Sequence, residues 1–269
     1  MTMGSLWTPA LVEADEDEYG VESGAWNGLQ DLVTIARAAG REVLAPPVLD
    51  LSALKPRDGL LMLYPTEPPP RADLAAFMAD GGRLGVADDF GAGSALLGGF
   101  GITRTAPSRA VQALMLRGNR GLLIAKPPFE HALSTDVMAL VTNHPQVLHH
   151  DALDAVFALG DGADAVVLTG AVGNGRLVAL SDPSTLINNM LEFRGNRVFA
   201  GNLTRYLAHG GRLFIATPGT TFTGHYAGLA VSDPLASLRT ALQRVAGVKL
   251  PPAAIRATTL VIVGLLLFA

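Results

Sequence analysis

Cysteine is absent from all 269 residues of the chain. Disulfides, thiolate metal sites and every mechanism with a cysteine nucleophile are excluded together. Charge is also scarce: 20 Lys and Arg against 24 Asp and Glu leave a net −4, with no basic block or arginine-rich run. Nucleic acid is held through its phosphates, so it is excluded as a partner. The opening "MTMGSLWTPALVEADEDE" has no basic segment followed by an apolar run, and no secretory signal is legible in it. Internal repeats and low-complexity segments are missing too.

The apolar run that does stand out is "TTLVIVGLLLFA" at residues 258–269. It supplies about a dozen uncharged residues of the ~20 that a membrane-spanning helix needs. We read it as the start of a transmembrane helix, and therefore expect the chain to be membrane-associated through its C-terminal segment. Residues 219–257 read as a linker and an amphipathic juxtamembrane stretch, with Leu238, Leu242, Val245 and Val248 among Arg239, Arg244 and Lys249.

Residues 8–218 alternate regularly and read as one α/β domain. "PALVEADEDE" offers a first strand. A helix is expected from about Ala25 to Ala39, with Trp26, Leu29, Leu32, Val33 and Ala36 recurring at helical spacing and Gly40 as its stop. "REVLAP" and "DGLLMLYP" follow as strands, the second apolar throughout, as a strand covered on both faces is. After Pro68–Pro70 comes a helix presenting Leu74, Phe77 and Met78 to the core, then the strand "RLGVADD". Strands alternating with helices predict a mainly parallel sheet flanked by helices. Residues 104–151 are less regular. "AVFALGDGADAVVLTGAVGNGRLVALSD" reads as three strands joined by tight turns, a β-hairpin insertion. "PSTLINNMLEFRGN" and the residues after it read as a helix carrying Val198, Phe199, Leu203, Tyr206 and Leu207, followed by the strand "RLFIAT".

Several segments of this domain resemble the family called domain of unknown function 4350: "AWNGLQDL", "ADDFG" before "ALLGGFGI", "TNHP", and above all "GNGRLVALSDPSTLINNMLEFRGNRVFAGNLTRYL". The resemblance spans about residues 10–217. It implies a fold similar to class I glutamine amidotransferases, in the flavodoxin-like manner, and a kinship with auxiliary domains of ABC transport systems. It also implies a membrane protein with the domain on the extracytoplasmic face, whereas Arg239, Arg244, Lys249 and Arg256 favour the cytoplasm by charge. The outer face is taken as the expectation. No hydrophobic segment precedes the domain in this sequence.

Amidotransferases present a cysteine at a strained strand-to-helix elbow with a histidine as base. The elbow-like turns here, "VADDFGAG" and "YPTEPPP", supply none, and Ser94 has neither a G-x-S-x-G setting nor a histidine with a claim on it. "GAGSALLG" lacks the third glycine of a dinucleotide fingerprint and follows two aspartates, so Gly91 and Gly93 read as a turn and a helix start, and no cofactor is expected. His149-His150-Asp151 reads as a solvated turn.

One constellation remains. In a parallel sheet the strand C-terminal ends share an edge, and there the chain places Asp15 and Glu16, then Asp88 and Asp89, then Asp182. Asp182 before Pro183-Ser184 also suits a helix N-cap, and Asn27, Asn188, Asn189 and Asn196 suit caps and turns. The expected ligand-binding set is Asp15, Trp26, Asn27, Asp88, Asp89, Phe90, Asp182 and Asn188, a crevice for a cation, a sugar or a basic peptide. Nothing pairs an acid with an evident nucleophile, so the expected function is that of a non-catalytic domain binding a ligand or a protein partner within a membrane assembly for transport or the envelope. The alternative is a hydrolase using the acidic crevice, with or without a divalent metal.

Overall fold

The structure, a computed structural model, describes residues 18–108, 114–160 and 162–226. The expected first strand, Asp15, Glu16 and the apolar run at 258–269 lie outside them. In chain order the elements are α1 (Gln30–Ala38), β1 (Val43–Leu44), β2 (Val48–Asp50), β3 (Gly59–Leu63), α2 (Arg71–Ala79), β4 (Arg83–Ala87), α3 (Gly93–Gly99), β5 (Thr103–Thr105), β6 (Leu122–Lys126), β7 (Leu140–Asn143), β8 (Val147–His149), β9 (Asp154–Leu159), β10 (Asp164–Val172), β11 (Gly175–Leu180), α4 (Arg194–Leu207), β12 (Leu213–Ala216) and β13 (Thr221–Thr223).

Eleven of these strands form one sheet whose main path runs β1-β12-β3-β4-β11-β10-β9-β6-β7. From β1 to β11 every pairing is parallel, and from β11 onward every pairing is antiparallel. The sheet is therefore mixed, which corrects the expectation of a mainly parallel one. Its cause is the loop lengths: the turns at 160–163 and 173–174 are too short for a crossover and can only reverse the chain. The three strands read as an insertion are instead integral, because β11 is the fifth parallel strand and β10 and β9 carry the sheet onward. Within the stretch read as a linker, β13 pairs parallel with β2 in a separate two-stranded sheet.

β3 is buried along its whole length because its side chains alternate between two cores. Leu61 and Leu63 join Leu32, Ala36, Phe199 and Leu203 of α1 and α4. Leu60 and Met62 join Leu74, Phe77 and Met78 of α2 and Leu96 and Leu97 of α3. α2 thus buries the three residues expected of it, and Gly82 lets the chain turn under Phe77, whose ring a Cβ there would strike.

Two helices differ from expectation. α1 starts at Gln30 rather than near Ala25, because Trp26–Gly28 form a loop pinned from outside: Asn189 N donates to Trp26 O at 3.0 Å and Asn188 N to Gly28 O at 2.9 Å. The same bonds divert amides from the helix expected over 183–196. That segment breaks into short 3-10 turns at Pro183–Leu186 and Met190–Glu192 before α4 begins. Asn196 of α4 acts as a peptide surrogate at the sheet edge, accepting from Val141 N and donating to Val141 O, both at 2.8 Å.

Candidate functional site

β3, β4 and β11 lie side by side in register, with Leu63 and Leu180 both paired to Ala87. The chain leaves them on one edge as Tyr64, Asp88 and Ser181, where ligands of open α/β sheets gather. The expected edge thus exists, and it brings Asp88, Asp89 and Asp182 together.

Two of these carboxylates are occupied within the fold. Asp88 is fully buried and ion-paired to Arg104 at 3.0 Å, and its Oδ1 accepts from Gly91 N at 2.8 Å. Burial pushes its pKa up, with Arg104 the main opposing influence. The glycines of "GAG" find their reason here: a Cβ at Gly91 or Gly93 would run into the Asp88 carboxylate. The loop closes over an aspartate, in the place a dinucleotide fold reserves for pyrophosphate.

Asp182 is also fully buried. Its Oδ1 accepts from Ser184 N at 3.0 Å and Ser184 Oγ at 2.5 Å, and its Oδ2 from Asn143 N at 2.5 Å and Thr185 Oγ1 at 3.0 Å. It caps the 3-10 turn that follows and also ties that turn to β7. Burial outweighs these bonds and, with the Asp89 charge, pushes the carboxyl up to about 6.

Asp89 is only half-buried, and burial followed by the neighbouring Asp88 raises its pKa. Phe90 next to it is 66% exposed. Beside them stand two residues absent from the expected set. Tyr19 and Tyr64 stack with ring centroids 6.0 Å apart and planes 11° apart. Both have left-handed backbones, φ 58° and 43°. A tyrosine there is strained by about 1 kcal/mol or more, and the surrounding fold must hold it. Burial, then the Asp89 charge, raises both phenol pKa values. Tyr64 opens the "YPTEPPP" turn at the end of β3. No local pattern announces the pair, since the residue before a proline ordinarily avoids this backbone region.

The remaining expected residues divide. Trp26 is 63% exposed on the loop running from Tyr19 to α1, and Asn27 is buried, its carbonyl accepting from Tyr19 N at 3.0 Å. Asn188 is structural: its Oδ1 accepts from Asp31 N at 2.9 Å, capping α1, while Nδ2 donates to Ser23 O and Ala25 O. Asp15 lies outside the described residues. His149 shares a hydrogen bond with Thr105 Oγ1 at 2.7 Å, and His150 Nδ1 accepts from the Ala152 and Leu153 amides, a self-capped turn.

Among the described residues no group of three or more His, Cys, Asp or Glu is placed to hold a metal ion. No helix among them is long and apolar enough to cross a membrane. A cavity of about 190 Å³ adjoins the edge, between Met62, Pro65 and Glu67 on one side and Thr217, Pro218 and Phe222 on the other. A larger hollow of about 1080 Å³ lies elsewhere, near Phe129, His131 and Met138. It holds none of the expected residues. Its one histidine is fixed in a turn, with Nδ1 accepting from Leu133 N, so the strand-edge crevice is the better candidate.

The sequence profile described as Domain of unknown function (DUF4350) matches residues 21–204. No curated protein matches the chain. Among solved structures, the mmIFT52 N-terminal domain is similar at 14% identity over 55% of this chain and 76% of that one, with a TM-score of 0.44. The cytoplasmic protein STM1381 from Salmonella typhimurium LT2 is similar at 14% identity over 67% of this chain and 87% of that one, TM-score 0.45. A beta-galactosidase from Bacillus circulans sp. alkalophilus is similar at 12% identity over 69% of this chain, TM-score 0.40, and the match spans only 28% of that enzyme.

Proposed function

The chain belongs to the DUF4350 family, and we propose that its domain is a non-catalytic binding module of a membrane-anchored protein, engaging a partner at the crevice of Asp89, Phe90, Tyr19 and Tyr64. One observation carries this reading. The two carboxylates nearest in position to act as acid, base or metal ligand, Asp88 and Asp182, are buried and saturated with internal bonds. What the crevice offers to a ligand is the half-buried carboxylate of Asp89 beside the exposed ring of Phe90, with Tyr64 partly exposed and Tyr19 buried behind it. That combination suits a cationic side chain, whose charge Asp89 meets and whose apolar stem the rings cover.

A likeness to the class I amidotransferases, without their cysteine, is supported by the strand–turn–helix arrangement of β3, the turn at Tyr64 and α2. The membrane anchor is the run at 258–269, with the domain on the extracytoplasmic face as part of a transport or envelope assembly. A hydrolase remains the second reading, favoured by the raised proton affinity of the neighbouring Asp89 and Asp182.

The test is photocrosslinking from position 90 in the full protein in its native membrane. A partner should be captured by the parent and lost with Asp89→Lys. Amide, ester or glycoside turnover that disappears with Asp89→Asn would replace the binding reading with the hydrolytic one.

A further inference from the structure

The opposite edge of the parallel strands collects cations that are scattered in the sequence. A cavity of about 350 Å³ opens there, lined by Pro56, Arg57, Gly81, Arg83, Asn174, His209 and Gly210, with no carboxylate in its wall. Four separate segments build it. The loops before β3 and β12 meet closely because Gly211 rests on the Arg57 carbonyl, where a Cβ would collide. Arg83 is pre-set: its Nη1 donates to Tyr206 O at 2.5 Å and its guanidinium lies 5.0 Å from the Tyr206 ring centroid. Its register partner on β11 is another cation, Arg176.

The two arginines of the cavity are uncompensated. Among the described residues, Arg57, Arg83 and His209 form no ion pair. Asp58, the nearby buried acid, is already used by Arg212 at 2.6 Å and by the Lys55 and Arg212 amides. Burial, then the charge of Asp80, pushes the Tyr226 phenol up to about 12. An adjoining hollow of about 730 Å³ extends the cationic surface through Arg41, Lys55 and Arg212, beside Glu42 and Asp58. There the buried Arg41 Nε has no acceptor.

We propose that the Arg57–Arg83–His209 cavity is a phosphate-binding site. A phosphate's oxygens match the fork of a held arginine, with the exposed Arg57, His209 and Asn174 completing the donor set. The phosphate belongs either to a soluble phosphate compound or to an anionic lipid headgroup. The lipid source rests on the membrane-anchored reading above.

The test is thermal melting of the full chain in non-ionic detergent, titrated with inorganic phosphate, with a short-chain phosphatidylglycerol and with the corresponding phosphatidylcholine. The variant is Arg57→Ala with His209→Ala, two exposed side chains whose loss leaves the core intact. A rise in melting temperature with inorganic phosphate, its apparent affinity weakened at least about tenfold in the variant, supports the soluble source. A rise confined to phosphatidylglycerol and lost in the variant supports the lipid source. No rise with either anion, a rise that survives in the variant, or an equal rise with phosphatidylcholine overturns the proposal. Crosslinking from position 90 is unaffected by any of these outcomes, because the two sites lie at opposite ends of the strands.

Discussion

Asp182→Asn separates two effects that oppose each other at one side chain. In the folded protein the carboxyl is raised from an ordinary 3.8 to about 6 by burial. The native state therefore holds a proton that the unfolded chain has released between those values. The stability contributed by Asp182 is full below about pH 3.8 and is lost as pH rises through about 6. At ~1.4 kcal/mol per pH unit that interval corresponds to about 3 kcal/mol. Asparagine carries no charge and has no such dependence. It does place an NH2 group against a backbone donor, Ser184 N or Asn143 N, at a cost of about 1–3 kcal/mol. The variant should thus be less stable than the parent by about 1–3 kcal/mol at pH 4, and equal to it or more stable at pH 7. Asp182→Ala, which deletes all the acceptors, should lie below the Asn variant at both pH values. Urea unfolding at pH 4, 5, 6 and 7 measures the difference directly. A gap between parent and Asn variant that is constant with pH, or that widens towards pH 7, would refute the reasoning, because the four hydrogen bonds would then outweigh burial.

Arg104→Met should destabilise by about 3–5 kcal/mol, since it leaves the Asp88 carboxylate buried without its counter-charge; thermal melting checks this, and adding Asp88→Asn should recover part of the loss. Gly91→Ala should cost about 1–3 kcal/mol by driving a methyl into that carboxylate, and an unchanged melting temperature would show the loop to be slack. Asn196→Ala should cost about 2–4 kcal/mol and accelerate amide exchange at Val141, whose amide loses its acceptor and whose carbonyl loses its donor. Incubation with glutamine should release no ammonia, and turnover abolished by Tyr64→Phe would reveal an elbow nucleophile after all.

What the sequence determined by itself was local. The alternation of strands and helices, the α2 face of Leu74, Phe77 and Met78, the uninterrupted apolar run of β3 and the capping chemistry of Asp182 all rest on spacing within a few residues, where propensity and periodicity act. The strand end carrying Asp88 and Asp89 was legible in the crossover series up to β4, whereas Asp182 joins it only because β11 pairs with β4. The tertiary structure alone decided the rest. The short turns reverse the chain between β9, β10 and β11, but that these strands continue the parallel sheet rests on β11 pairing with β4, between residues some ninety positions apart, which no local pattern encodes. The helix expected over 183–196 breaks because Asn188 and Asn189 give their amides to a loop more than 150 residues away. Asn188, expected to touch a ligand, holds the scaffold instead, and Tyr19 and Tyr64 meet at the crevice with no spacing to foretell it. The cationic edge makes the same point about charge: a sequence with a net −4 and no basic block still gathers Arg57, Arg83 and His209 around one cavity. Composition sums charge over the chain, whereas an electrostatic site depends on distance, and distance is fixed only when the strands have paired.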